Sequence, residues 1–328
     1  MAKNKTLLLA SSLPKIPMKE AVETIEKAFQ EKGEGKVQMP PKPYIFFEKY
    51  NGDFRVMPAY LEKSDLAGVK IVNVHTFNPK KHNIPTVMAT IVLIDPKTGY
   101  PKAIINGTYL TALRTGAAGG VASKYLSRKD SEIVGTIGAG VQANTQLMAL
   151  NEVRRIKLVK IYDLSKDASI KCAKEISKIG LDAKIMKSAK EAIEGSDIII
   201  TVTPSRKPIV MLDWILNGVH INAIGADAPG KEELDPSILK KAKIVVDDWE
   251  QALHSGEVNV PISKGLIKRE DIYADIGEIV TGNKKGRESQ KEITVFDSTG
   301  LAIQDIAIAS LVYDKAKKEG VGQWVDFM

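Results

Sequence analysis

The chain has 328 residues, 44% of them hydrophobic and 27% charged, which is enough for a sizeable core and for two domains. Its net charge of +7 is spread along the chain among Glu and Asp. A basic pocket for an anionic small molecule is therefore expected, rather than a nucleic-acid-binding arm. The single cysteine, Cys172, excludes a disulfide within the chain. His75, His82, His220 and His254 have no metal-ligand spacing, and neither CxxC nor HExxH occurs, so no metal site is expected.

The apolar run Leu7–Ala10 is too short for a signal-peptide core, and no span of about 18 apolar residues occurs. The expected compartment is the cytoplasm, with no membrane partner. Residues 17–32 place Met18, Ala21, Val22, Ile25, Ala28 and Phe29 at helical spacing. Pro40, Pro41 and Pro43 exclude helix over 36–43. Extended runs follow at 44–50, 53–60, 67–75, 86–95 and 101–106, with turn signals in NGD (51–53) and DPKTG (95–99). They predict a mostly antiparallel sheet.

Residues 108–126 change the period. Ala112, Gly116, Ala117, Ala118, Gly119 and Gly120 predict a helix packed very closely on a neighbour. From there, strands at 132–137, 158–162, 183–186, 197–202, 219–224, 243–247 and 292–297 are interleaved with helices at 141–154, 167–179, 188–194 and 235–241. That alternation predicts a parallel sheet with helices on both faces. A last helix over 301–320 is expected to return to the first domain. The fold class is α/β: a Rossmann-type doubly wound parallel sheet (119–303) plus a mixed α+β domain built from both termini (1–118 with 304–328).

The stretch EIVGTIGAGVQANTQ (132–146) runs from strand to glycine turn to helix. Gly138 permits a tight turn, Gly140 lets backbone approach a pyrophosphate, and the small Ala143 lets helix and strand pack closely. The helix N-terminus supplies unpaired N–H groups to the anion. Asp163 ends the next strand 25 residues after Gly138, near the spacing of about 20 for a ribose-binding acid. A carboxylate there repels a 2′-phosphate, so NAD is the expected cofactor. Thr203 ends a later strand, where ligands sit in open α/β sheets, although a turn before Pro204 also explains it.

The first domain carries basic residues among apolar ones: Lys42, Arg55, Lys70 and Arg114. Burying Arg114 in TALRTGAAGG is costly unless it is paired. A substrate carboxylate is one partner and an internal salt bridge is the other. Together with GVKIVN, GTIGAGVQA, GADAPGKEEL (225–234) and VFDSTG (295–300), the TALRTGAA run resembles the ornithine cyclodeaminase/mu-crystallin family over nearly the whole chain. The resemblance implies a homodimer and NAD(P)-linked chemistry on the Cα–N bond of amino or imino acids. It implies a terminal domain for substrate and dimerisation, a substrate carboxylate held by Lys70 and Arg114, and catalysis by Asp227 with Lys70. It also implies cofactor contacts from Arg114, Thr115, Gly138, Ala139, Gly140, Val141, Gln142, Asp163, Thr203, Ser298, Thr299 and Gly300. Ser298 or Thr299 equally suits a helix N-cap.

One position departs from the cyclodeaminase pattern. Those enzymes carry Glu where this chain has Arg55 in RVMP, and an arginine repels the second amino group of ornithine. Arg55 with Lys42 resembles instead the archaeal alanine dehydrogenase branch of the family. The expected reaction is NAD-dependent deamination of L-alanine to pyruvate and ammonia, by hydride transfer from Cα and hydrolysis of the iminium. The alternatives are ornithine cyclisation, reduction of cyclic imines such as pyrroline- or piperideine-2-carboxylate, and dinucleotide binding without turnover.

Overall fold

A computed structural model describes residues 5–327. Two compact units emerge: one runs to Arg114 and resumes at Leu301, and the other is Thr115–Gly300.

The unit built from both ends of the chain is an eight-stranded sheet. Its spatial order is Gln323–Asp326, Lys5–Leu9, Pro101–Asn106, Val87–Ile94, Leu66–His75, Gly52–Leu61; Val37–Gln38 and Tyr44–Phe47 both pair with the outer edge of Gly52–Leu61. Within this sheet Lys5–Leu9 and Pro101–Asn106 run parallel, and the other pairings are antiparallel. Pro58 tests the assignment, because a central strand rarely accepts proline. The N–H of Val56 points outward to the Pro43 carbonyl, so Pro58 two residues on directs its nitrogen the same way. Tyr44–Phe47 covers residues 52–55 and Val37–Gln38 covers 60–61, so the proline falls in the gap between them.

Residues 55, 57, 59 and 61 of that strand are buried and alternate with half-buried neighbours. Arg55 lies opposite Val72, and Met57 opposite Lys70. Directly paired residues share a face, so Arg55 and Lys70 stand on the same buried side as diagonal neighbours. The helix Ala302–Glu319 packs on Gly52–Leu61, Leu66–His75 and Val87–Ile94 and against the helix Met18–Gly33, which brings the last segment back to the first as expected.

The second unit contains an eight-stranded parallel sheet. Its order is Ala183–Ile185, Leu158–Tyr162, Ile133–Ile137, Ile198–Thr201, His220–Ala223, Thr294–Asp297, Lys243–Val246, Ile272–Asp275. The chain winds outward from Ile133–Ile137 on one side, then returns to lay Ile198–Thr201 on the other. The topological switch point therefore lies at the end of Ile133–Ile137, where this architecture places ligands. Ile198 and Ile200 join one apolar core while Ile199 joins the other, as burial of both sheet faces requires. Cys172 is a packing residue of the first of these cores, its thiol pushed up to about 11 by burial, with the Asp163 charge adding to the shift.

The expected α/β architecture is present. Several short strands exceed the sequence expectation: Lys5–Leu9, Arg206–Val210 with Glu232–Leu234, Ile272–Asp275 and Gln323–Asp326. Each is three to five residues long and acquires its pairing from the fold rather than from an alternating pattern. Among the described residues no helix is long and apolar enough to cross a membrane.

The close packing expected of residues 108–126 has an atomic cause. A Cβ on Gly116 would overlap the backbone carbonyl of Thr145, and one on Gly119 would overlap the Gln146 side chain. Gly116→Ala is expected to destabilise the protein by about 1–3 kcal/mol, the cost of overpacking against backbone that cannot rotate away. Chemical denaturation checks this; an unchanged midpoint would show that the two helices separate freely.

Candidate active site

The glycine turn at the switch point has the geometry its sequence calls for. Gly138 has φ +96, a left-handed value that favours glycine, and a Cβ there would sit 2.9 Å from the Val202 carbonyl. Around Gly140, by contrast, a Cβ would meet nothing within 4 Å. The second glycine thus faces open space, and the helix Val141–Val153 begins there without a side-chain cap. Its first-turn N–H groups have no carbonyl partner within the helix. Ala143 is buried against the sheet, while Val141 is exposed and Gln142 half-buried. These residues fit a dinucleotide pyrophosphate.

Asp163 helps to build this turn. Its Oδ2 accepts the Ala139 N–H at 2.8 Å and its Oδ1 accepts that of Ser165 at 2.8 Å. A carboxylate offers about four acceptor positions, which leaves capacity for ribose hydroxyls. Thr115 is buried, and its carbonyl accepts Gln146 Nε2 at 2.8 Å.

Four buried carboxylates organise the loops at the strand ends of this unit. Glu233 accepts the N–H of Thr203 at 2.7 Å, its hydroxyl at 2.6 Å, and the Gly225 N–H at 3.0 Å. Glu257 accepts the N–H groups of Glu233 and Leu234 at 2.9 and 2.7 Å, and Asp297 accepts those of Glu257 and Val258. Asp247 accepts the N–H groups of Thr299 and Gly300, both at 2.7 Å, and the hydroxyls of Ser298 and Thr299. The segment Ser298–Gly300 is therefore held by Asp247, and the N-cap of the last helix is Leu301 rather than Ser298 or Thr299. Asp227 follows Gly225, with its N–H on the Gly225 carbonyl at 3.0 Å; its partly exposed carboxylate pairs with Lys231.

In the other unit the cations cluster. Lys70 is 1% exposed, and its Nζ lies 2.8 Å from Asp305 Oδ2. Arg114 Nε donates to Asp305 Oδ1 at 2.9 Å, and its Nη1 to Gln304 Oε1 at 2.6 Å. Burial, then the Arg114 charge, lowers the Lys70 ammonium to about 7, against the opposing pull of Asp305; Lys42 adds a smaller push downward. Arg55 is buried, held by Asp53 through Nε at 3.0 Å and Nη2 at 3.3 Å, with its guanidinium 4.8 Å from the Tyr44 ring centroid.

The internal partner of Arg114 is thus present, in Asp305. The sequence reasoning named the cations of this cluster and missed the carboxylates Asp305 and Asp53, as it missed Glu233, Asp247 and Lys231. A signal existed for Asp305: it stands between Gln304 and Ile306 in the apolar run LAIQDIAIAS, where a charge must be exposed or paired.

Glu257 generates a pH prediction. Burial, then the Glu233 and Asp297 charges, raises its carboxyl well above the ordinary range. The folded chain therefore keeps a proton that the unfolded chain releases. That contribution is full below the unfolded value of about 4.3 and falls as pH rises toward the folded value. Glu257→Gln stays neutral throughout, so its melting temperature relative to wild type is expected to climb from pH 4.5 to pH 8. A parallel pair of melting curves would disprove the assignment.

The ornithine cyclodeaminase/mu-crystallin family pattern matches residues 4–320. The chain is 54% identical to the alanine dehydrogenase of Archaeoglobus fulgidus, over 95% of each chain. Among solved structures it is similar to an archaeal alanine dehydrogenase dimer with bound NAD (52% identity, TM-score 0.94, 99% of this chain and 100% of that one). It is also similar to the Thermococcus litoralis Delta(1)-pyrroline-2-carboxylate reductase in complex with NADH and L-proline (48% identity, TM-score 0.95, 98% and 100%). The chain belongs to the ornithine cyclodeaminase/mu-crystallin family.

Proposed function

We propose that the chain is an NAD-dependent oxidoreductase acting on the Cα–N bond of a small amino acid, and that this substrate is L-alanine, converted reversibly to pyruvate and ammonia. The observation that carries alanine is the 54% identity with an alanine dehydrogenase across 95% of both chains. Arg55 supports it. Fixed by Asp53 on the Lys70 face of the sheet, it presents positive charge where ornithine would bring a second ammonium.

NAD, when bound, supplies the acceptor for the Cα hydride. The Gly138–Gln142 turn and the helix behind it would hold its pyrophosphate, and Asp163 its ribose. Thr203 and Ser298–Gly300 would border it, each kept in place by a buried carboxylate. Arg114 and Arg55 bind the substrate carboxylate through charge-assisted hydrogen bonds, with Lys42 adding to the field. Lys70, near 7, exchanges a proton in the working pH range. Asp227 either takes the ammonium proton or, as a carboxylate, activates the water that hydrolyses the iminium. Lys231 orients it.

Reduction of a five-membered cyclic imine is the second reading. It is favoured by the 48% identity with the Thermococcus litoralis reductase. Both readings use the same carboxylate clamp and differ in whether the nitrogen is tethered to the side chain.

The second copy in the proposed homodimer would cover the sheet face opposite Lys70. That face carries Ile45, Phe54, Val56 and Ile71, half-buried or exposed in a single chain. Exposed apolar area of this kind marks an interaction surface.

NADH formation with L-alanine, run beside NADH consumption with pyrroline-2-carboxylate, separates the readings. Alanine is expected to be the better substrate, and preference for the imine would move the assignment to the reductase. Asp227→Asn is expected to lower kcat by about 10²–10⁴ while changing NAD affinity little; a kcat within threefold of wild type would remove Asp227 from the chemistry. Ile71→Glu is expected to sediment as a monomer, and a persisting dimer would place the interface elsewhere.

A further inference from the structure

The reading above assigns Lys70 and Arg114 to the substrate and leaves the group between them without a role. Asp305 is 1% exposed and meets both cations, one with each oxygen: Arg114 Nε at 2.9 Å on Oδ1 and Lys70 Nζ at 2.8 Å on Oδ2. The neighbouring Gln304 takes the next guanidinium nitrogen, and its Oε1 also accepts the Leu301 N–H at 3.2 Å. Both side chains project from the first turn of the helix Ala302–Glu319, where the helix dipole favours negative charge. The elements that bear on Lys70 are its own strand, with Arg55 diagonal to it, the helix carrying Arg114, the helix carrying Asp305, and the segment carrying Lys42.

A buried triad of this kind is a poor source of stability. Well-packed apolar residues of similar volume often serve as well or better. Its presence on a sheet face that, Arg55 aside, is lined by apolar residues such as Met57 and Val72 points to function.

We propose that Asp305 is the positioning residue of the reaction: its two oxygens fix the Lys70 amine and the Arg114 guanidinium as a pre-set pair and balance all but one of their charges. This rests on the proposed function, in which Arg114 binds the substrate carboxylate and Lys70 exchanges a proton. With Lys70 protonated the triad carries one net positive charge, and with Lys70 neutral it carries none. An arriving carboxylate therefore draws a proton onto Lys70. Asp305 tunes that exchange: without its charge, two cations face each other and Lys70 gives up its proton more readily.

The test follows Lys70 directly, by the 13Cε shift of lysine-labelled full-length protein, with the signal identified by its loss in Lys70→Met. In Asp305→Asn the Lys70 titration is expected to move about one to three pH units below wild type. The corresponding limb of the kcat/KM profile should move the same way, and kcat/KM itself should fall at least tenfold. NAD affinity should stay within threefold, and unchanged 13Cε signals of the other lysines of the terminal unit report that the variant is folded. Asp305→Glu keeps the charge but not the fit. It should titrate near the wild-type pH with reduced kcat/KM, and it serves if Asp305→Asn fails to fold. An unmoved Lys70 titration in folded Asp305→Asn, or wild-type kcat/KM in both variants, overturns the proposal. A shifted Lys70 titration in a protein whose wild type turns over neither alanine nor the cyclic imine would instead overturn the functional reading and leave the coupling standing.

Discussion

The constraint that shapes the terminal unit is the burial of cations on an apolar sheet face. Arg55 and Lys70 stand where the strand pattern calls for hydrophobic side chains, and Arg114 is buried in the helix Thr108–Leu126. Each such charge needs a counter-charge or must give up its proton. Arg55 meets Asp53 and Arg114 meets Asp305, while Lys70 does both, sharing Asp305 and titrating near neutrality. The last helix must return to this face because it carries Asp305, so the discontinuity of the unit along the chain and the electrostatics of the site are one problem with one solution.

The parallel-sheet unit poses the complementary problem. Loops at the ends of parallel strands leave backbone N–H groups without ladder partners. Burying those groups unpaired is costly. Glu233, Asp247, Glu257 and Asp297 answer this by accepting two or more N–H groups each. The cost is the burial of carboxylates, visible in the raised carboxyl groups of Glu233 and Glu257, with the Glu233 and Asp297 charges adding to the rise at Glu257.

Legibility in the sequence divides along the same lines. The glycine turn was readable because its requirements are local: a left-handed residue at Gly138, an open approach at Gly140 and a small residue at Ala143 lie within six positions. Alternation of strands and helices gave the architecture for the same reason. The positive half of the site was readable because Arg55, Lys70 and Arg114 interrupt apolar patterns. The negative half was readable only in part: Asp305 interrupts the apolar run of the last helix, but no local spacing ties it to Arg114, 191 residues earlier. The pairing exists only once the last helix lies across the sheet. The depression of Lys70 has burial as its largest cause, ahead of the Arg114 charge, and that burial only the packed sheet reveals.

The separation of 191 residues between Arg114 and Asp305 also has a meaning in time. At a synthesis rate of ~5–20 residues per second, Arg114 leaves the ribosome ~10–40 s before Asp305 does. Throughout that interval the nascent sheet has its cations and lacks the helix that neutralises and covers them, while the whole parallel-sheet unit is being made. The proposed substrate site is thus among the last parts of the molecule to be completed, and a chain released before residue 305 would keep the glycine turn at Gly138 while lacking the counter-charge of the pair Lys70 and Arg114.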